Sequence, residues 1–377
     1  MTRRVMVVTG SRAEFGLLDP VMRAIDAHPS LDLSVVVAGA HLLPPAETWR
    51  EVADRWPIAA TVPLQAADAR TRLADAIALG RGVSGVALAL RDPAPDWVVV
   101  LGDRIEAFAA AAAASVGGVA VAHLHGGDRA EGVADEAMRH AISKLAHLHL
   151  PATPASAERL VRMGESPERI HIVGSPALDD LPACEPLADE RWDDLGAPAA
   201  ALLLHPIGRG DDAEADDARA ILAGLCGLRL LGLAPNADPG RGGIARTLAE
   251  SRAQGRLAAY IEHLPRAEFV GLLKRIAASG GVLVGNSSAG LIEAAAERVP
   301  AVDIGPRQSG RERPGNVVHV EDPTPENIAA AVAAARGRDL SDLDHPYGDG
   351  RTGHRVAEAL AHMDPASAAV LRKRNAY

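Results

Sequence analysis

The chain has two cysteines, Cys184 and Cys226, in 377 residues. That is too few for a disulfide framework, and they lack the paired spacing of a zinc site, so a reducing cytoplasm is the simplest setting. Aromatic residues make up only 3%; stacking on bases is therefore a poor binding device here, and any core has to be aliphatic and alanine-rich. Positive charge is also short, with a formal net charge of −10, which argues against nucleic acid or an anionic membrane as partner. No apolar run reaches the roughly 18 residues of a membrane span, and the opening Met-Thr-Arg-Arg passes into Val5–Val8 too quickly for a signal peptide. An anionic ligand must then be held locally, by arginines and helix starts.

The chain is long enough for two cores, and two domains of about 150 to 200 residues are expected. Strand-like runs Val5–Val8, Leu33–Ala38, Trp97–Leu101, Val119–Leu124 and Ile170–Val173 alternate with helical patterns, the signature of a parallel sheet covered on both faces. The acidic, proline-containing stretch 176–198 reads as a linker. A second set follows: Ala201–Leu204, Leu228–Leu233, Ala258–Ile261, Val282–Val284 and Ala301–Ile304. The expectation is α/β, with two doubly wound Rossmann-like domains, 1–180 and 181–350, facing a cleft. A helical segment within 351–377 crosses back to the first domain.

Chemistry-bearing residues cluster after the strands, where such a fold places its sites. In 281–311, GVLVGNSSAGLIEAAAERVPAVDIGPRQSGR, a strand runs into Asn286, Ser287 and Ser288, and Ala289–Glu297 reads as a helix whose first turn aims N–H groups at that polar knot. A diphosphate fits such a cradle, with Glu293 for the hydroxyls of a ribose and Arg307 and Arg311 closing over the phosphates. The alternative is an ordinary serine N-cap. Arg12 lies in the turn TGSRAEFG, which lacks a dinucleotide glycine pattern. Asp103, in GDRIE with Arg104, reads equally as helix N-cap or catalyst. The densest stretch holds His123, His125, Asp128, Asp135, Arg139, His140 and Lys144. Asp135 and Arg139 at i, i+4 spacing fit either a surface salt bridge or an active-site helix. No metal-ligand spacing is present, since His123 and His125 two apart on a strand end make poor ligand geometry. His205 ends a buried strand, and Asn236 lies in the turn APNADPG.

These segments, TGSRAEFG, LGDRIE, HLHGGDRAEGVADEAMRHAISKLAHLH, LHP, APNADPG and GNSSAGLIEA with IGPRQSGR, resemble in order those of the hydrolysing UDP-N-acetylglucosamine 2-epimerases of sialic-acid and legionaminic-acid biosynthesis. The resemblance covers nearly the whole chain. It implies a glycosyltransferase-B-like fold, with UDP held mainly by the C-terminal domain and the sugar against the N-terminal one. Residue by residue, it puts Arg12 and His205 at the phosphates or sugar and Asn236 along the cleft. Ser287 and Ser288 fall at the diphosphate, Glu293 at the ribose and Arg307 at the nucleotide. Asp103 and Asp135 take the places of catalytic carboxylates, with which His125 or His205 trades protons, and Arg104, Arg139 and Asn286 join the binding set.

One position departs from part of the family, where a glutamate replaces His125, so either His125 or Asp128 serves as the third acid–base group. A histidine's ordinary pKa of about 6.5 suits a proton shuttle. The implied reaction removes the C2 proton as UDP leaves C1, forms a 2-acetamidoglucal, and adds water to release N-acetylmannosamine. No cofactor is needed. The alternatives are the same chemistry on a UDP- or GDP-linked 2,4-diacetamido-2,4,6-trideoxy sugar, a non-hydrolysing epimerase, a glycosyltransferase, or a nucleotide-sugar sensor. The expected partner is a UDP-sugar, and the expected assembly is a homo-oligomer, dimer or tetramer.

Overall fold

Val5 and Val7 face one side of the first strand, β1 (Arg3–Thr9), Met6 and Val8 face the other, and all four are buried. The computed structural model describes residues 2–376 apart from 45–46, 67–70, 130–135, 237 and 239. β1 is joined by β2 (Leu31–Ala38), β3 (Ile58–Val62), β4 (Trp97–Leu101), β5 (Ala120–Leu124) and β6 (Leu148–Leu150). They form one parallel sheet in the order β3-β2-β1-β4-β5-β6. The second sheet has β7 (Ala200–Leu203), β8 (Leu230–Leu233), β9 (Ala259–Ile261), β10 (Val282–Gly285), β11 (Ala301–Ile304) and β12 (Val317–Val320), in the order β12-β11-β10-β7-β8-β9. Both sheets switch direction after their third strand in sequence. Each therefore has a topological switch point, between β1 and β4 and between β7 and β10, outside which ligands bind in such sheets.

The described residues fall into two compact units, one sheet in each; apart from Arg129, which belongs to the second, the first runs to Asp179 and resumes at Tyr347, and Asp180–Pro346 makes up the rest of the second. In the first unit, Val5 and Val7 pack with Leu18 and Met22 of helix Arg12–Asp26 and with Val356 and Leu360 of helix Thr352–His362. Met6 and Val8 pack on the opposite face with Ala107, Ala110 and Ala114 of the alanine-rich helix Ile105–Val116. The doubly wound α/β class follows from this two-faced burial. Helix Thr352–His362 starts on the Asp179 carboxylate, which accepts from Thr352 N at 2.9 Å and Gly353 N at 2.6 Å.

Several elements differ from the sequence reading. Ile170–Val173 is no strand: the edge strand β6 is three residues long and meets it in one bridge, His149 to Ile170, and Ile172 is exposed. β3, β6 and β12 carry weak signals, β3 because its burial alternates at a sheet edge and β6 because it is so short. Much of the stretch 176–198 is folded rather than a free linker. Helix Asp189–Asp194 buries Trp192, over which Arg275 stacks at 5.3 Å. The expected helix 289–297 is broken into a 3₁₀ turn, Ser288–Gly290, and a short helix, Glu293–Ala296. The Asn316 side chain accounts for the break, because its Nδ2 donates to Gly290 O at 3.1 Å and Val299 O at 3.0 Å and ties both carbonyls down outside a helical ladder. No helix among the described residues is long and apolar enough to cross a membrane.

Candidate active site

Past the carboxyl ends of β4 and β5, the first unit gathers four of the residues singled out from sequence. His123, the penultimate residue of β5, is fully buried: Nε2 donates to Gly102 O at 2.8 Å, and Nδ1 pairs with Ser143 Oγ at 3.1 Å. Burial pushes its pKa down to about 3, against the opposing bond to Gly102. His123 is therefore a neutral strap between strand ends. The chain then turns at His125, whose φ of +59° is left-handed, and at Gly127, where a Cβ would lie 2.2 Å from Ser156 O. Only glycine lets the turn approach helix Pro154–Arg162 so closely.

That turn sets His125 Nδ1 2.8 Å from Asp128 Oδ2, while Ser156 Oγ donates to Asp128 Oδ1 at 2.7 Å. Asp128 and His125 are 4% and 7% exposed. Helix Glu136–Leu145 delivers Arg139 into the same cluster. Its Nη2 pairs with Asp103 Oδ2, and its Nη1 lies 3.8 Å from Asp128 and donates to His125 O at 3.4 Å. Arg139 is 3% exposed. Asp103 is not an N-cap: Arg104 holds that position before helix Ile105–Val116, with no side-chain capping bond. The Asp103 side chain keeps 18% exposure, the most of the three acid–base candidates described. Asp135 lies outside the described residues.

Two carboxyls that sequence reasoning passed over lie beside this cluster. Glu14 accepts from Gly10 N at 2.8 Å, and Glu106 accepts from Gln65 Nε2 at 2.8 Å and Ala40 N at 3.3 Å. Burial, with the neighbouring Glu106 charge, lifts Glu14 to about 8. Their sequence signal is small, a glutamate inside TGSRAEFG and another closing GDRIE. Arg104 is half-buried with its Nε 3.6 Å from Glu106, and Arg12 is bound to Glu51 (Nε to Oε2, 2.9 Å).

In the second unit the hub is Asn286, at the end of β10. Its Oδ1 accepts from His205 N and its Nδ2 donates to His205 O, both at 2.8 Å, clamping the ends of β7 and β10. Its carbonyl accepts from Gln308 Nε2 at 2.9 Å and Arg307 Nη1 at 3.3 Å. Gly285, at φ +145°, permits the clamp, since a Cβ there would sit 2.0 Å from Leu203 O. Asn236 N donates to His205 Nδ1 at 3.1 Å, so the ring proton is on Nε2. Burial, with Arg307 nearby, takes His205 down to about 3, which leaves it a neutral ring at pH 7. Ser287 and Ser288 are half-buried, Ser287 capping the 3₁₀ turn through Ala289 N at 3.3 Å. Glu293 is buried and takes Arg266 Nη1 at 2.9 Å. Gln308, Arg266, Ser156 and Ser175 were not legible as site residues, because no spacing sets them apart from ordinary polar positions. Arg311 reaches Gln308 Oε1 at 3.0 Å.

The model of the UDP-N-acetylglucosamine 2-epimerase family matches residues 23–361. A UDP-N,N'-diacetylbacillosamine 2-epimerase (hydrolyzing) of Legionella pneumophila is 36% identical, covering 100% of both chains. A UDP-N-acetylglucosamine 2-epimerase of Neisseria meningitidis is 32% identical, covering 95% of each. The crystal structure of Methanocaldococcus jannaschii UDP-GlcNAc 2-epimerase in complex with UDP-GlcNAc and UDP superposes with a TM-score of 0.77 at 18% identity, over 96% of this chain and 100% of that one; it bears on the fold alone. With that family model matching most of its length and those two relatives more than 30% identical over nearly all of it, the chain belongs to the UDP-N-acetylglucosamine 2-epimerase family.

Proposed function

We propose that this chain is a hydrolysing 2-epimerase of a UDP-linked 2-acetamido sugar. The observation that carries the proposal is the buried cluster of Asp103, Arg139, Asp128 and His125. Abstracting a proton from C2, a carbon of low acidity, needs a base fixed in place, and charge must be neutralised as the diphosphate departs. Arg139 fixes the Asp103 carboxylate, the most exposed acid–base group of the cluster, and we assign Asp103 to the C2 proton. Breaking C2–H and C1–O forms the C1=C2 double bond of a glycal and frees UDP in an anti elimination. Water then adds its oxygen to C1, and a proton returns to C2 from the opposite face. Asp128 and His125 serve this second step, and Asp135 takes part as the second carboxylate. Asn286, Ser287, Ser288 and Arg307 are assigned to the diphosphate, with His205 Nε2 as a neutral donor, and Glu293, steadied by Arg266, to the ribose. Arg12 and Arg104 assist at the phosphate and sugar.

N-acetylglucosamine is the sugar implied by the sequence motifs. The full-length identity of 36% to the L. pneumophila protein favours a second reading, a 2,4-diacetamido-2,4,6-trideoxy sugar on UDP. One experiment separates them: release of the nucleoside diphosphate is measured from UDP-N-acetylglucosamine, UDP-N,N'-diacetylbacillosamine and its GDP counterpart, with Asp103→Asn as the comparison. The expected outcome is release from a UDP-linked sugar, abolished by Asp103→Asn while UDP affinity changes by less than about tenfold, ~1.4 kcal/mol. Full activity of Asp103→Asn would remove the assignment of that residue, and release from none of the three would remove the function.

A further inference from the structure

Both ring nitrogens of His125 are engaged. Nδ1 faces Asp128 Oδ2 at 2.8 Å, and Nε2 faces Ser175 Oγ at 3.2 Å. A carboxylate only accepts, so the proton between His125 and Asp128 belongs to Nδ1, and Nε2 is the lone pair toward which the Ser175 hydroxyl points. Ser175 is 1% exposed, in the turn Gly174-Ser175-Pro176 where the first unit's chain ends, and its N donates to Tyr347 O at 2.8 Å, where that unit's chain resumes. The side chain is therefore fixed by backbone on both segments. His125 is the middle of a chain running from Ser175 through the imidazole to Asp128, and on to Ser156 Oγ at 2.7 Å and Thr153 Oγ1 at 3.0 Å.

We infer that Ser175 is a positioning residue for His125, one that keeps Nε2 paired in both protonation states of the ring, and that, granted the epimerase reading, it sustains the proton-return step. The chemistry of a hydroxyl explains why serine suits this place. While the ring is neutral, Ser175 donates its O–H to Nε2. When the water that adds to C1 gives a proton to Nε2, an N–H bond forms as the water O–H bond breaks and its oxygen bonds C1, and Ser175 Oγ rotates to accept that N–H while Asp128 holds the other side. When the proton leaves, the hydroxyl swings back. Alanine does neither. The charged groups around the ring are Asp128 on its own turn, Arg139 on helix Glu136–Leu145 with Asp103 behind it, and Arg159 on helix Pro154–Arg162, which donates to Gly127 O at 3.1 Å. Asp179, on the segment of Ser175, is taken up by helix Thr352–His362. His123 is neutral.

The test uses Ser175→Ala and Ser175→Thr in the full-length protein, with two readouts. Selective ¹⁵N-histidine spectra, with His125 assigned through His125→Gln, report the tautomer and titration of the ring directly. The wild type should show the proton on Nδ1, facing Asp128, with Nε2 paired to Ser175. Ser175→Ala should lose the single tautomer and titrate at lower pH, because the charged ring loses its acceptor, and Ser175→Thr should restore the wild-type spectrum. In steady state, kcat of Ser175→Ala should fall on the order of 10- to 100-fold with KM within about threefold, and the pH limb governed by His125 should move to lower pH with it. A merely structural serine would change the melting temperature and leave the pH limb in place. An unchanged His125 spectrum and pH limb in Ser175→Ala would overturn the inference. If the wild type releases no UDP from any nucleotide sugar, the functional reading fails, and the spectra alone decide the role of Ser175.

Discussion

Glu14 is 4% exposed, with Glu106 as its neighbour, and its Oε1 has no hydrogen-bond partner among the described residues. Burial and that second carboxyl raise its pKa from 4.5 to about 8. Between those values the folded chain keeps the proton that the unfolded chain has lost, so unfolding releases a proton and stability falls as pH rises; below the lower value both states are protonated and the penalty vanishes. Glu14→Gln keeps the acceptor for Gly10 N and removes the titration. Its stability should therefore rise relative to wild type as pH goes from about 5 to 8, by an amount on the order of 2 to 4 kcal/mol, read as a growing difference between the two melting temperatures. Parallel melting curves across that range would contradict the burial argument. The residue scale is also where sequence legibility is most uneven. Asp103, His125, Asp128 and Arg139 are legible because a strand end with several charges has few structural uses. The partners that fix their behaviour, Ser175 for His125 and Asn236 for His205, come from segments about 30 to 50 residues away, and only folding brings them in.

Helix Glu136–Leu145 shows how an element is tuned from a distance. It carries Arg139 near its start, and Lys373, from the C-terminal segment, accounts for its end. The Lys373 ammonium donates to Ser143 O, Lys144 O and Ala146 O at 2.8 to 2.9 Å and pairs with Glu165 Oε2 at 2.6 Å. Burial raises the energy of the Glu165 carboxylate, yet hydrogen bonds from His149, Lys144 and Lys373 outweigh it and bring its pKa to about 2. Lys373→Ala leaves the last carbonyls of the helix without their donor and should cost about 1 to 3 kcal/mol, read as a lower urea midpoint with unchanged slope. A midpoint within error of wild type would show that the C-terminal segment does not hold this helix. Strand and helix identity is legible where burial is two-sided, as in Trp97–Leu101. It fails at β3 and β6, where edge position or shortness weakens the pattern, and at Ala289–Glu297, where the helix-forming sequence is overruled by Asn316, which is distant in the chain.

At the scale of the whole molecule, two sheets share one strand order, β1 to β6 repeated by β7 to β12. That duplication was legible as two alternating series even where single strands were missed, since each buried run reports on its own. Net charge of −10 leaves anion recognition to local groups, and the proposed function assigns it to the turn that holds Asn286 and Arg307. The central claim is elimination followed by hydration, and the reaction run in deuterium oxide tests it most directly. Because the C2 proton is removed and replaced from solvent, the account predicts free sugar carrying deuterium at C2 with inverted configuration, with UDP accumulating in step. A nucleotide sugar epimerised at C2 and in equilibrium with its starting form, or free sugar unlabelled at C2 with its configuration unchanged, would contradict it.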